Sequence, residues 1–564
     1  MSATDQTQHG KDSFSDGFYY FLAALAVATV GTGYTAMWFG YWINGHDTAG
    51  LGTRFMAGDV TWHPGATTAA VTIAAILIAL GLTLTVLRAR RGTKALRIDR
   101  AAPHMAQPSD VAHMTAKGRA RQAKAKGLPT APLPALARNV NGRAWLHMGP
   151  EATATMIAGP RSGKSSAFAI PRIAEWDGPV LVTSNKRDLV DATRAWRERN
   201  GDRTWVFDPQ RIMKAPATWY WDPIVYVTDG DPEATDIRAN KLAHRFAFAG
   251  GASTGNAGYF NLTGEGLVAA LILAAALGGH DIMSVRRWIT NPEAPKPVQI
   301  LREHDYEHAA DRLEAMQELT GEQRDGVYGT ADTMTQFLTY RTVAQWITPG
   351  QGRVPFDPYT FVHSHDTLYS ISREGQGSMG PLVTALTVAV CEAAEEIAQD
   401  SPAGRLATPL ALVLDEVANV CRWSDLPNVY SHYGSKGILP ICFLQSWNQG
   451  VTAWGTEGMT ALWSHSTTRI IGSAVLEHGV LQSASDLIGK YTKAAHSTSH
   501  SKAGTSKSTQ STKDEVLSTA DLGEMPPERA LIFEAGTRRI LAETVPWFER
   551  DYAKDLKAAQ GGTR

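Results

Sequence analysis

The chain has 564 residues, with 54 Lys and Arg against 55 Asp and Glu, so its formal net charge is -1. This length exceeds one ordinary hydrophobic core, and we expect two or three domains. A hydrophobic content of 43% excludes a largely disordered polymer. The near-zero charge excludes a nucleic-acid binder whose whole surface is basic, so any nucleic acid must be held by local patches.

Two N-terminal segments, 18–43 and 65–87, carry no charged side chain and are long enough to cross a bilayer. They predict two transmembrane helices. A second apolar segment directly after the first argues against a cleaved signal peptide, while a pair of buried core helices is the remaining alternative. Arginines and lysines follow the second segment, so the positive-inside rule places 1–17 and the large C-terminal part in the cytoplasm and the loop 44–64 outside.

A basic stretch follows the second predicted span. Between residues 88 and 127 there are eleven Lys and Arg against Asp99 and Asp110. We expect 88–140 to be a basic juxtamembrane linker that contacts anionic lipid headgroups, with a nucleic-acid backbone as the alternative partner. The three cysteines, Cys391, Cys421 and Cys442, are widely spaced and lack the pairing of a zinc site or disulfide framework, which indicates reduced core residues.

A phosphate-binding loop is predicted in the segment MIAGPRSGKSSAFAIPRI at 156–173, which has the pattern of a strand, a glycine-containing loop and a helix. Ala158 stands where the strict motif has its first glycine, and Gly159 follows it. Backbone N–H groups of such a loop bind phosphate oxygens, Lys164 would bridge the β- and γ-phosphates, and Ser165 would bind Mg²⁺. The predicted nucleotide-binding residues are Ala158, Gly159, Pro160, Arg161, Ser162, Gly163, Lys164, Ser165 and Ser166.

The segment LALVLDEVANV at 410–420 is an apolar run that ends in two acids, as expected of a central parallel strand that carries carboxylates at its C-terminal edge. We assign Asp415 to Mg²⁺, together with Ser165, and Glu416 to the role of general base for the attacking water. Gln445 ends the next apolar run and is a candidate sensor of the γ-phosphate. A strand that merely ends in polar residues is the structural alternative.

Further apolar, β-rich runs at 178–184, 204–209, 439–446, 467–473 and 529–536 alternate with helical patterns. Such alternation predicts an α/β domain with a doubly wound, mostly parallel sheet. From about 230 to 350 the pattern becomes helical, which predicts an all-helical domain inserted between the two nucleotide-binding motifs. The stretch 497–513 is rich in Ser, Thr and Lys, and we expect a mobile loop there.

Taken in order, these features resemble the type IV secretion coupling proteins, the TraG/TraD-type membrane ATPases of conjugation. The resemblance runs from residue 18 to about 550. It rests on the two spans and on AGPRSGKS, VTSNKRDL at 182–189, WDPI at 221–224, LDEVANV and FLQSWNQ at 443–449.

This resemblance implies a RecA-like motor domain, 141–229 and 351–550, an inserted helical domain, 230–350, and a short tail, 551–564. It also implies ATP and Mg²⁺ as cofactors, a homo-hexamer in the bacterial inner membrane, and single-stranded DNA with its relaxase as cargo. Relaxosome and secretion-channel proteins are the implied partners. Family members carry a basic residue that reaches the neighbouring subunit, and Lys436, Arg422 and Arg469 are the candidates in this chain.

A nucleotide site does not identify the cargo, so three functions are compatible with the sequence. The first is an ATPase that pumps DNA, or a DNA–protein complex, into a secretion channel. The second is a membrane receptor that gathers secretion substrates without pumping. The third, an FtsK-like pump for double-stranded DNA, is disfavoured by the large helical insertion.

Overall fold

The structure is a computed structural model. It describes residues 34–38, 40–42, 45–59, 67, 71–72, 75, 79, 96–131, 133–229, 231–249, 258–375, 377–501 and 504–561. The chain divides into two compact units, 1–96 and 97–564. In the first unit, residues 34–38 and 40–42 are helical, and helix α1 (Leu51–Met56) follows. Most of the predicted spans 18–43 and 65–87 lies outside the described residues, so the transmembrane anchor stays a prediction.

The second unit is built on an eleven-stranded mixed sheet whose strand order is β2-β1-β15-β14-β11-β3-β10-β9-β4-β8-β5. Seven neighbouring strands, from β11 to β5, are parallel. The central strands β9 and β10 are buried at every position, as expected where helices cover both faces of a parallel sheet. The predicted α/β class with a mostly parallel sheet is confirmed.

The strands have the following bounds: β1 Ala135–Asn139, β2 Trp145–His147, β3 Ala154–Ile157, β4 Val180–Ser184, β5 Thr204–Phe207, β6 Trp219–Tyr220, β7 Val354–Pro355, β8 Thr367–Ile371, β9 Leu410–Leu414, β10 Ile438–Leu444, β11 Thr468–Ile471, β12 Lys490–Ser501, β13 Gly504–Glu515, β14 Arg529–Glu534 and β15 Ile540–Glu543.

The α-helices of the second unit have the following bounds: α2 Ala116–Ala125, α3 Ile170–Ala174, α4 Asp188–Glu198, α5 Pro223–Thr228, α6 Thr235–Ala249, α7 Gly258–Leu277, α8 Ile282–Ile289, α9 Lys296–Glu303, α10 Glu307–Gln317, α11 Gly321–Met334, α12 Arg341–Ile347, α13 Pro358–Val362, α14 Gly380–Asp400, α15 Val417–Val420, α16 Leu426–Lys436, α17 Trp447–His465, α18 His478–Ile488, α19 Thr519–Gly523 and α20 Ala553–Gly561. A π-helical turn, Lys164–Ala169, precedes α3.

The predicted basic linker is not a free connection over its whole length. Strand β1 pairs with β2 and β15, so the chain has joined the sheet before residue 141. Basic residues of the linker form ion pairs within the unit: Arg100 with Asp521 at 2.6 Å and Arg119 with Glu534 at 2.6 Å. Charge counting could not find these pairs because the acids come about 400 residues later in the chain. The linker prediction is therefore corrected from about residue 97 onward.

The inserted helices lie between β6 and β7, which pair with each other in parallel. From α5 to α12 the described chain forms helices and no strands, and this stretch overlaps the predicted insertion at 230–350. Helix α7 is its central element and packs against α5, α6, α8, α9, α10 and α11. Within the part of the chain that the structure describes, Phe260–Leu277 is the one helical stretch long and apolar enough to span a membrane, and most of it is buried.

Within the predicted mobile loop 497–513, the described residues 497–501 and 504–513 belong to two paired antiparallel strands. Strands β12 and β13 pair from Lys490 with Glu515 to Ser501 with Gly504. The prediction of irregular structure was wrong because it weighed low hydrophobicity above the β propensity of the many threonines. In the predicted tail, the described residues 551–561 include α20, which packs on α4, and Gln560 donates a hydrogen bond to the Ala192 carbonyl at 2.9 Å.

Candidate nucleotide-binding site

The predicted phosphate-binding loop follows β3 and ends at the π-helical turn that begins with Lys164. Gly163 has φ of 82° and Arg161 has φ of 59°, so both residues have a left-handed backbone conformation in the loop before the helix. Glycine adopts this conformation without strain, which explains its place immediately before the lysine. The loop lines a cleft of about 410 Å³ together with residues from the ends of β4, β9 and β10.

Gly159 is the glycine that packing requires in this loop. A Cβ atom at this position would lie 2.2 Å from the Ala474 carbonyl oxygen and 2.7 Å from the Ala474 Cβ. The Gly159 N–H also donates to the Ser473 carbonyl at 3.0 Å. The departure at Ala158 from the strict motif is therefore accommodated, because the close backbone approach occurs one residue later.

Lys164 is 8% exposed and points back into its own loop. Its ammonium donates to the carbonyls of Ala158 at 2.6 Å and Gly159 at 3.1 Å. Burial lowers the pKa of Lys164, and the nearby Glu416 and Asp415 carboxylates partly offset that effect. A lysine that satisfies loop carbonyls in this way can exchange them for phosphate oxygens, which are stronger acceptors.

Asp415 follows β9 directly and is 6% exposed. Ser184, the last residue of β4, donates to its Oδ2 at 3.2 Å. Burial raises the pKa of Asp415 to about 7, and the Glu416 and Asp188 carboxylates add to the effect. Such a carboxyl is stabilised in its charged form by an added cation, which is the situation expected of a metal ligand.

Glu416 stands at the start of α15 with φ of 51°, a left-handed conformation that is uncommon for a residue with a side chain. Its two carboxylate oxygens are held by two amides. Gln445 donates to Oε1 at 2.8 Å, and Gln449, on the first turn of α17, is 3.5 Å from Oε2. The side-chain oxygen of Gln449 also accepts a hydrogen bond from the backbone N–H of Gln445 at 2.8 Å. The NH₂ group of Gln449 therefore faces Glu416.

The structure thus brings the predicted residues Lys164, Asp415, Glu416 and Gln445 to one cleft, which Pro160 to Ser166 also line. Ala158 and Gly159, at the start of the loop, do not line the cleft; they pack against Gly472 and Ala474, which follow β11. The chemical roles assigned to the individual residues stay predictions.

Sequence reasoning missed several residues of the cleft. Asn185, Lys186 and Asp188 line it from the turn after β4, beside Asp415. Lys186 is exposed and close enough to affect the titration of Lys164. The segment VTSNKRDL at 182–189 contained the signal, since β4 is parallel to β9 and its C-terminal end must meet the same edge of the sheet.

The three candidates for a residue that reaches a neighbouring subunit lie outside this cleft. Lys436 ends α16 and forms an ion pair with Glu395 at 2.5 Å. Arg422 donates to the Ala418 carbonyl at 3.0 Å, and Arg469 donates to the Ser464 carbonyl at 2.9 Å. Their positions leave this prediction open.

The cleft fits Mg²⁺ by the chemistry of its donors. Ser165 and Asp415 both line it and supply a hydroxyl and a carboxylate, the oxygen ligands that Mg²⁺ takes while it keeps several waters. The buried Asp415, with its raised pKa, is also a group whose charge a cation would compensate.

The parallel sheet, the loop after β3 and the acids after β9 have the arrangement of a nucleotide-binding domain with a RecA-like fold. The solved structures agree. The bacterial conjugative coupling protein TrwBdeltaN70 matches with a TM-score of 0.54 at 13% identity, over 76% of this chain and 91% of that one. TrwB with the non-hydrolysable GTP analogue GDPNP matches with a TM-score of 0.51 at 14% identity, over 71% and 88%. TrwB with ADP and Mg²⁺ matches with a TM-score of 0.51 at 13% identity, over 70% and 86%.

Residues 409–527 match the family described as the TraM recognition site of TraD and TraG. No curated protein sequence gives a significant match. The family match and the fold together confirm the predicted resemblance to type IV coupling proteins.

Proposed function

We propose that this chain is a membrane-anchored coupling ATPase that recruits DNA, or a DNA–protein complex, and moves it into a type IV secretion channel. One observation carries the proposal. The cleft that holds Lys164, Asp415 and Glu416 is combined, in one unit, with a helical insertion between its two motifs and a segment that matches the TraM recognition family. The TrwB structures in complex with GDPNP and with ADP and Mg²⁺ support binding of nucleotide and Mg²⁺ here.

The residues of the cleft supply the parts that hydrolysis of ATP requires. Loop N–H groups and Lys164 hold the phosphates, and Ser165 with Asp415 would hold the metal. Mg²⁺, when bound, neutralises charge that develops on the phosphates. Glu416 orients a water molecule and accepts its proton while the new oxygen–phosphorus bond forms and the bond to the β-phosphate oxygen breaks.

Gln445 and Gln449 fix the orientation of that base through both carboxylate oxygens. A γ-phosphate that takes the Gln445 amide as a donor would free Glu416 Oε1 for the water. The base would then act only when the cleft contains a triphosphate.

The proposed function also includes a membrane anchor, an assembly and partner proteins. The anchor is the predicted pair of spans, 18–43 and 65–87, in the bacterial inner membrane, with both chain ends in the cytoplasm. The assembly is a homo-hexamer around single-stranded DNA that carries a relaxase. Relaxosome and secretion-channel proteins are the proposed partners, and the TraM recognition match supports the first of these.

One experiment distinguishes an ATPase that pumps DNA from a receptor that only binds secretion substrates. In a conjugation assay with full-length protein, Glu416→Gln should abolish DNA transfer and leave membrane assembly and substrate docking intact. If transfer continues at the wild-type rate with Glu416→Gln, turnover does not drive transport, and a nucleotide-dependent receptor or scaffold becomes the better account.

A further inference from the structure

A groove lies over the face of the sheet at β11 and β14, between helices α17 and α18. Its volume is about 650 Å³, larger than that of the nucleotide cleft. Ile471 and Phe533 form its floor. Trp447 and Trp463 of α17 stand on one side with their rings edge to face at 6.0 Å.

The groove is open to solvent and combines apolar and polar side chains. Leu487 of α18 lines it and is 49% exposed, and His478 and Ser483 of the same helix are exposed polar lining residues. Leu476, just before α18, is 80% exposed but does not line the groove. An exposed leucine beside a pair of tryptophans is an anchor position of the kind found at protein docking surfaces.

Arg469 lines this groove, and Arg539 lies beside its lining residues Leu487 and Phe533. Arg469 lines the floor, and its hydrogen bonds go to the carbonyls of Ser464 at 2.9 Å and Ser466 at 3.3 Å. Arg539 binds the Leu487 carbonyl at 3.2 Å and lies 5.8 Å from the Phe533 ring centroid. Among the described residues, neither guanidinium has a carboxylate within ion-pair distance.

One carboxylate does line the groove, but both of its oxygens are engaged. Glu477 accepts the Trp447 N–H at 2.6 Å and the Asn448 N–H at 2.9 Å, so it caps α17. Burial lowers the pKa of Arg469, and the like charge of Arg539 lowers it further. The two arginines therefore repel each other, and an incoming carboxylate would relieve that repulsion.

We propose that this groove docks a segment of a partner protein that carries aromatic or aliphatic anchors beside acidic side chains. The anchors would lie between α17 and α18, and the acids would face Arg469 and Arg539. All lining residues except Phe533 belong to the segment that matches the TraM recognition family. The inference rests on the proposed coupling function, because that function requires a partner that delivers the substrate.

The probe is a fluorescein-labelled synthetic peptide with a Leu-Phe pair flanked by aspartates, compared with the same peptide flanked by lysines. Anisotropy is measured with the full-length chain at low salt and without nucleotide. The aspartate peptide should bind more tightly than the lysine peptide. The double variant R469E/R539E should weaken aspartate-peptide binding at least about tenfold and strengthen lysine-peptide binding. Leu487→Ser should weaken both.

The matched control is K296E/R341E, which makes the same change of charge on exposed residues of the inserted helices and should leave both affinities unchanged. Equal binding of the two peptides, or no response to R469E/R539E, would overturn the proposal. A change in oligomeric mass with unchanged peptide binding would also overturn it, because the groove would then be a subunit interface.

ATP hydrolysis is measured separately on the same protein. A chain that hydrolyses ATP but binds no peptide contradicts the groove proposal alone. A chain that binds the aspartate peptide but never hydrolyses ATP contradicts the proposed function alone.

Discussion

Replacement of Gly159 by alanine tests how the phosphate-binding loop is held. The added methyl would lie 2.2 Å from the Ala474 carbonyl oxygen, 2.7 Å from the Ala474 Cβ and 2.9 Å from its carbonyl carbon. These are backbone and Cβ atoms, so no side-chain rotation can relieve the overlap. Ala474 itself has φ of 60°, which leaves its backbone little freedom to move.

Overpacking of this kind costs about 1–3 kcal/mol. If the rest of the fold is kept, the loop must move and the cost appears in nucleotide binding. We therefore expect Gly159→Ala to weaken binding of a fluorescent ADP analogue about 5- to 150-fold. The measurement is a fluorescence titration of the full-length chain, with a thermal denaturation curve to detect any cost that falls on folding.

The control for this substitution is Ala158→Gly, which restores the first glycine of the strict motif one residue earlier. It removes a methyl and adds none, so binding should stay close to wild type. If Gly159→Ala binds nucleotide as well as wild type and melts at the same temperature, the contact between this loop and Ala474 is not what positions the phosphate site.

Three further predictions concern side chains of the cleft. The raised pKa of Asp415, about 7, means that its contribution to the stability of the nucleotide-free chain is present below about pH 4 and is lost as the pH rises through 7. Affinity for Mg²⁺ with ADP should therefore rise between pH 6 and pH 8 by titration calorimetry, by at most about tenfold per pH unit below 7, and Asp415→Asn should remove that dependence. Lys186→Ala should raise the KM for ATP by about 1.5- to 5-fold, because the residue is exposed, with kcat unchanged in a steady-state assay; an unchanged KM would exclude a phosphate contact. Gln449→Ala should lower kcat about fivefold with nucleotide affinity unchanged, because Glu416 loses a donor; Gln482→Ala on α18 is the control, and equal loss in both variants would refute the positioning role.

The motifs that depend on local chemistry could be read from the sequence. The apolar runs before Ala158 and Asp415 became β3 and β9, with β10 between them, so the lysine and the two acids meet at one edge of the sheet. Gln445 was predicted to end the strand that follows the acids. Its contact with Glu416 was not predicted, because it depends on β10 lying next to β9.

Features that depend on long-range pairing could not be read in this way. Residues 135–139 are a strand because β15, some 400 residues later, pairs with them. The ion pair of Arg529 with Asp99, at 2.7 Å, has the same origin. Gln449 was missed because its role follows from the orientation of α17, and Lys186 was missed because its strand had to be placed beside β9 first.

The proposed function requires this cleft to hydrolyse ATP in a DNA-dependent way. Phosphate release is measured for the full-length chain beside Lys164→Ala and Glu416→Gln, with and without single-stranded DNA. We expect wild type to hydrolyse ATP faster when DNA is added, and both variants to lose at least about a hundredfold in rate. If wild-type protein binds nucleotide but releases no phosphate, even with DNA present, the cleft is not the site of a DNA-dependent ATPase.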